Sequence, residues 1–208
     1  MQLMPELDAL GRRFLATFAN GATQWHEVVE MYSTPPRAYH NLDHIRGCLS
    51  HFDTARHLAD HPRQIEAAIW FHDCIYDPKA HDNEARSADV AERMLGELGF
   101  ARDFIDESKR LILATTHSAA PADNDTALLV DIDLAILGAE SSEFDRYERA
   151  IRQEYAHVPD RDFALGRSAI LRKFLKRPSI YTTEDFRSRF ENRARENLAR
   201  SVANASAS

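Results

Sequence analysis

The chain has 208 residues, of which 44% are hydrophobic and 28% are charged, and its net charge is −7. This apolar content is too high for a disordered chain, and two cysteines are too few for a disulfide scaffold. The acidic balance argues against binding to a nucleic-acid polymer, because phosphate contacts require clustered Lys and Arg.

No run of about 18 apolar residues is present, so no membrane-spanning helix is expected. The first residues, Met1 to Asp8, lack a basic segment followed by an apolar one, so we expect no secretory signal and a cytoplasmic location. No linker or internal repeat divides the chain. We therefore predict one domain over residues 1–208, with a core over about residues 25–200 and a frayed tail over 203–208.

Apolar residues recur at helical spacing along most of the chain, and Gly or Pro residues separate the segments. The predicted helices cover residues 6–18, 23–32, 43–58, 63–76, 83–98, 102–116, 125–137, 142–157, 160–175 and 184–202. The fourth segment is mostly apolar, which predicts a central buried helix. No pair of alternating runs is joined by a tight turn, so we expect an all-α bundle with almost no sheet.

The buried fourth segment contains an adjacent histidine and aspartate, His72 and Asp73. A buried carboxylate costs several kcal/mol unless it is paired or binds a metal. Neighbouring helical residues point about 100° apart, so both side chains reach one centre only if it lies near the helix surface between them. The pair is either part of a metal site or a hydrogen bond on a polar edge of the helix.

Two further histidines, His40 and His44, are four residues apart and share a face if their segment is helical. If Asn41 or Asp43 caps a helix that begins near His44, His44 projects from the first turn and His40 approaches from the loop. This spacing fits either metal ligands or a solvated surface pair.

Two carboxylates, Asp131 and Asp133, lie within an apolar helical segment. At positions i and i+2 they point in different directions and cannot easily serve one centre. We expect one of them to bind or catalyse, while the other caps a helix or forms a salt bridge with an arginine.

The order His44, His72-Asp73, Asp133 resembles the HD superfamily of metal-dependent phosphohydrolases, in particular a bacterial branch without an assigned substrate. The motifs that carry the resemblance are Tyr39-His-Asn-Leu-Asp-His-Ile45, His72-Asp-Cys-Ile-Tyr-Asp-Pro78, Asp82-Asn-Glu-Ala-Arg-Ser-Ala88, Ala114-Thr-Thr-His117 and Asp133-Leu-Ala-Ile-Leu-Gly138. They extend over about residues 25–200. Asp133 matches the family pattern better than Asp131, which remains the alternative.

The resemblance implies a single HD-type domain with a buried metal site. The implied ligands are His44, His72, Asp73 and Asp133. Two imidazoles and two carboxylates suit Mn, Mg, Co, Ni, Fe or Zn. One such ion per chain would polarise a phosphoryl oxygen and activate a water as the nucleophile, with Asp73 orienting that water. Cys48 and Cys74 are not needed as ligands and are expected to be small core residues.

Four residues near these motifs have both a functional and a simpler interpretation. In the functional interpretation, Glu84 is a general acid/base or a hydrogen-bond partner of a ligand histidine. In the simpler one, it is a negative charge that stabilises the first turn of a helix. Asn83 either contacts substrate or caps a helix. His117 and His40 either hold a second metal ion or donate hydrogen bonds to the phosphate. The simpler interpretation of His117 is a cation that is stabilised by its position at a helix C-terminus.

Arg152 and Tyr155 are candidates for binding the phosphate of a substrate. The simpler expectation for Arg152 is an i,i+4 ion pair with Glu148 on an amphipathic helix.

These features predict a metal-dependent phosphohydrolase that acts on a phosphate ester or anhydride of a small, nucleotide-like molecule. One alternative is an HD-fold di-iron oxygenase in which His40, His117 and Glu84 supply further ligands. The other is a nucleotide-binding sensor without catalysis, although all four core ligand positions are filled here. The sequence leaves open the choice between a monomer and a homodimer.

Overall fold

The computed structural model describes residues 8–35 and 37–207. Over these residues the chain forms α-helices and two 3-10 helices and no strand, which confirms the predicted all-α class. The α-helices are α1 (Ala9–Thr17), α2 (Ala22–Ser33), α3 (Leu42–Ala55), α4 (Pro62–Phe71), α5 (Asn83–Glu97), α6 (Arg102–Ala114), α7 (Asn124–Asp133), α8 (Ser141–Glu154), α9 (Asp160–Leu175) and α10 (Glu184–Ala207). The 3-10 helices are Arg56–Leu58 and Leu134–Gly138.

Helix α4 forms the centre of the bundle, as its apolar sequence predicts. Every residue from Ile65 to Phe71 is buried. Helices α3, α5, α6 and α7 all contact α4. The Tyr32 hydroxyl donates a hydrogen bond to the Trp70 carbonyl oxygen at 3.1 Å, so a polar group within this core has a partner.

The two central helices end earlier than the periodicity predicts. The helix expected over 63–76 ends at Phe71, and the one expected over 125–137 becomes a 3-10 helix after Asp133. In the first predicted helix, Glu6 and Leu7 lie outside the described residues. Apolar residues continue past both helix ends because the chain stays buried there, so periodicity alone does not reveal the ends.

The tail predicted to fray over 203–208 is instead helical as far as Ala207, and Ser208 lies outside the described residues. Val202 is buried against the core and holds the end of α10 in place. The alanines that follow have high helix propensity, so the helix continues beyond this contact.

Close packing holds α10 against the 3-10 helix Leu134–Gly138. A Cβ atom on Gly138 would lie 2.6 Å from the Cβ of Phe190 and 2.7 Å from its carbonyl oxygen. Glycine is therefore required where these two backbones meet. No helix in the described part of the chain is long and apolar enough to cross a membrane.

Candidate metal centre

Three helices bring four of the sequence-predicted residues together. His44 lies in the first turn of α3, His72 and Asp73 directly follow α4, and Asp133 is the last residue of α7. His44 and His72 are buried. The candidate metal centre therefore forms where two helices end and a third begins.

The donor atoms of this cluster lie at the separations that a shared metal ion requires. His44 Nε2 is 3.1 Å from His72 Nε2 and 3.3 Å from Asp133 Oδ1. Asp73 Oδ2 is 3.1 Å from His72 Nε2 and 3.4 Å from His44 Nε2. Ligands at the usual bond lengths of a divalent ion are about 3.0–3.5 Å apart. Two histidines and two ionised aspartates could thus act as donors to one divalent ion.

The end of α4 lets two adjacent side chains reach one centre. Arg37 donates hydrogen bonds to the carbonyl oxygens of Asp73 at 2.7 Å and Cys74 at 2.8 Å. These carbonyls would otherwise lack partners at the helix end. Arg37 also donates to the His40 carbonyl oxygen at 2.7 Å, so it joins the turn after α4 to the loop before α3. No local sequence pattern points to Arg37.

The two aspartates of α7 point to different parts of the molecule. Asp131 is fully buried and accepts hydrogen bonds from the backbone amides of Thr182 and Thr183, and from the Thr183 hydroxyl at 2.7 Å. It therefore holds the start of α10 through two backbone amides and a hydroxyl, which fits the capping alternative rather than a salt bridge with an arginine. Asp133 lies in the candidate metal centre because residues at i and i+2 are about 200° apart around a helix.

The carboxylates make the candidate centre attractive to a cation. Burial acts to raise the pKa of Asp73 and Asp133, but the surrounding imidazoles hold the pKa of both carboxyl groups well below its usual range. His72 donates from Nδ1 to the Ile69 carbonyl oxygen at 3.0 Å. That hydrogen bond leaves His72 Nε2 as the nitrogen that faces the cluster.

Cys48 lies closer to the candidate centre than expected of a core residue. It is one turn after His44 on α3, and its Sγ lies within 4.8 Å of donor atoms of His44, His72 and Asp133. The sulfur is 3.7 Å from His44 Nε2 and 3.8 Å from Nδ1. An atom bonded to an ion on Nε2 would be clearly farther from Nδ1 than from Nε2. This near-equal spacing instead fits a thiol packed against the ring.

His117 contacts the second oxygen of Asp133. Its Nε2 is 2.9 Å from Asp133 Oδ2. Helix α6 ends at Ala114, and His117 has a φ of 53° in the turn beyond it. The structure therefore brings His117 to the edge of the candidate centre, where it orients Asp133. Its role in catalysis or in holding a second metal ion stays a prediction.

His40 lies beside the cluster in the loop before α3, as the capping pattern predicts. Asn41 is the N-cap of α3, and its side chain accepts from the Asp43 amide at 2.8 Å. The His40 ring stacks on Tyr76 with centroids 4.1 Å apart, and its Nδ1 is 2.7 Å from Glu154 Oε2. His40 is therefore held between a tyrosine and a carboxylate.

Glu154 organises this loop, and sequence reasoning missed it. One of its oxygens accepts hydrogen bonds from the backbone amides of Ala38, Tyr39 and His40 at 2.7–2.9 Å. The other accepts from the Tyr76 hydroxyl at 3.0 Å as well as from His40. Glu154 is 1% exposed, so its charge is neutralised within the protein. A glutamate at the end of an amphipathic helix gives no sequence signal for this role.

The structure keeps the remaining candidates outside this cluster of donor atoms. Glu84 lies in the first turn of α5, with no hydrogen bond or ion pair to the described residues. Asn83 begins α5, and its amide both accepts from the Asp77 backbone amide and donates to the Asp77 carbonyl oxygen. Asn83 thus closes the loop between α4 and α5, and the N-cap position belongs to Asp82.

The expected ion pair between Glu148 and Arg152 does not form. Glu148 pairs with Arg167, and Arg152 pairs with Asp160 at 2.7 Å. Long-range partners replace the i,i+4 contact because both side chains face α9 or the loop before it. The Tyr155 ring stacks on that of His157, with centroids 5.9 Å apart. Roles for Arg152 and Tyr155 in substrate binding stay predictions.

Comparison with known proteins finds no matching family model, no similar curated protein and no similar solved structure. The assignment of a function therefore depends on the geometry of the candidate centre and on the sequence resemblance.

Proposed function

We propose that this protein is a metal-dependent phosphohydrolase that acts on a phosphate ester or anhydride of a small, nucleotide-like molecule. The observation that carries the proposal is the convergence of four residues: His44 and His72 Nε2 lie 3.1 Å apart, and each lies 3.1–3.5 Å from an oxygen of Asp73 and of Asp133. Two carboxylates and two neutral imidazoles would neutralise one divalent ion and leave no buried excess charge.

The ion would supply Lewis-acid polarisation of a phosphoryl oxygen and a water of lowered pKa. The chain would supply positioning. His72 is oriented by the Ile69 carbonyl oxygen, and Asp133 by His117. Such partners of ligand side chains keep the donor atoms in place when the ion is absent.

Elemental analysis of the purified protein, with phosphate release assayed from a panel of phosphorylated metabolites, tests this proposal. We expect one Mn, Co, Ni, Mg, Fe or Zn per chain and metal-dependent release of phosphate. His72→Ala and Asp73→Ala should lose both properties, while His26→Ala, which changes an exposed histidine of α2, should keep both. Parental hydrolysis by His72→Ala or Asp73→Ala would refute the site assignment. Two irons with oxygen consumption would favour the oxygenase instead.

A further inference from the structure

A cavity of about 670 Å³ opens beside the candidate metal centre. His44, Cys48 and Asp133 line one end of it. Its other walls come from α3, α8, α10 and the 3-10 helix Leu134–Gly138. A volume of several hundred cubic ångströms suits a small-molecule ligand. A phosphate held at the centre would therefore direct the rest of its molecule into this space.

The walls favour a flat, uncharged group. Aromatic and aliphatic side chains, including Tyr39, Tyr147, Ile136 and Phe190, form much of the lining. The Tyr39 ring lies 4.6 Å from that of Tyr147 and 4.8 Å from that of His44, which produces an aromatic surface leading to the candidate centre. Such surfaces bind planar apolar groups by stacking and by excluding water.

The charges of the lining disfavour a polyphosphate. Two cations face the cavity, but Arg193 is already paired with Glu140, so only Arg146 lacks a partner among the described residues. Glu143 adds negative charge to the same walls, while Asp43 in the lining is paired with Arg46. One free cation is too few to offset several phosphate groups. A single phosphate group on an uncharged remainder fits better.

A glycine in the middle of α3 keeps this space open. Gly47 lines the cavity between His44 and His51, on the face of α3 that carries both histidines. A Cβ atom at Gly47 would meet no other atom within 4 Å, so packing does not require glycine there. Glycine is also among the least favourable residues within a helix. The missing side chain therefore costs helix propensity and leaves room in the cavity.

We propose that this cavity holds the non-phosphate part of the substrate, a flat uncharged group bearing one phosphate, and that Gly47 sets the size it accepts. This inference rests on the proposed function. Gly47 is thus a specificity-determining residue. It does not touch the reacting atoms.

The test compares Gly47→Leu with the wild type on three probes, 1-naphthyl phosphate, glycerol 3-phosphate and inorganic tripolyphosphate, at saturating Mn²⁺. We expect the wild type to prefer 1-naphthyl phosphate. The variant should lose about tenfold or more in kcat/KM for that probe, mainly through KM, and less than about twofold for glycerol 3-phosphate. Gly166→Leu is the matched control, because Gly166 also lies inside a helix with open space at its Cβ, away from the cavity lining.

Equal losses on both monoesters, no loss on either, or a wild-type preference for tripolyphosphate would overturn the inference while leaving the proposed function intact. Bound metal without hydrolysis of any probe would instead refute the proposed function, and this inference with it. Circular dichroism reports whether Gly47→Leu folds. If it does not, Gly47→Ala should give a smaller loss in the same direction.

Discussion

Glu154 holds the ring of His40 through a hydrogen bond of 2.7 Å between Oε2 and Nδ1, although 114 residues separate them in the sequence. The bond joins the end of α8 to the loop that precedes α3. Because Glu154 also accepts hydrogen bonds from three consecutive backbone amides, it determines the shape of this loop. The loop in turn leads directly to His44 in the candidate metal centre.

Glu154→Gln should lower the free energy of unfolding at pH 7 by about 2–4 kcal/mol, because it removes a charged acceptor and faces an amide NH₂ towards buried donors. Urea unfolding measures this loss. Glu196→Gln, which changes an exposed glutamate of α10, should have little effect.

The stability difference between the wild type and Glu154→Gln should also depend on pH. Burial acts to raise the pKa of Glu154, but His40 and the loop amides lower it below its usual value of 4.5. A carboxyl group whose pKa is depressed by folding stabilises the protein above its unfolded pKa, and this stability is lost as the pH falls through the folded pKa. The difference between wild type and Glu154→Gln should therefore shrink below about pH 4.5. A difference that is constant from pH 7 to pH 3 would contradict this assignment.

Asp131→Asn and Asp133→Asn should affect different properties of the protein. Asp133→Asn should abolish metal binding because it weakens a donor in the candidate centre. Asp131→Asn should keep the metal but destabilise the protein by about 1–3 kcal/mol, because Asp131 accepts the amides at the start of α10. Elemental analysis and thermal unfolding of both variants measure these effects. A folded Asp131→Asn protein without metal would exchange the two assignments.

Arg37→Met should weaken metal binding about tenfold or more without removing any ligand. Its guanidinium donates to the carbonyl oxygens of His40, Asp73 and Cys74, so the variant frees both segments that carry site residues. Titration with Mn²⁺ measures the affinity. Arg172→Met, which changes an exposed residue of α9, serves as the control and should leave the affinity unchanged.

Cys48 should not coordinate the ion, because its sulfur is nearly equidistant from both nitrogens of His44. The protein loaded with Co²⁺ should then lack the intense near-ultraviolet absorption of a cobalt thiolate, and Cys48→Ser should keep the metal stoichiometry. Cys74→Ser is the matched control, since Cys74 Sγ contacts the Ser87 carbonyl oxygen at 3.9 Å. A thiolate band that disappears only in Cys48→Ser would make Cys48 a ligand.

Helical periodicity was sufficient to predict the all-α class, the central position of α4 and the approximate extent of the helices, because burial of one helix face imposes a repeat of 3.6 residues. The apolar segment around them marked His72 and Asp73 as candidates, whereas His44 became one through the resemblance of the ordered motifs to the HD superfamily. A charge or imidazole in such a segment is costly without a partner, so its presence in the sequence implies either a hydrogen-bonded pair or a metal site.

Only the tertiary structure decided how these residues meet. It turned Asp133 towards the candidate centre and Asp131 towards α10, a choice that depends on what packs against each face of α7. It also revealed the structural roles of Arg37 and Glu154, which hydrogen-bond to Asp73 and His40, residues far from them in the sequence. Spacing along a chain reports contacts within one helix. Contacts between helices depend on how the buried faces pack, and no local pattern encodes that arrangement.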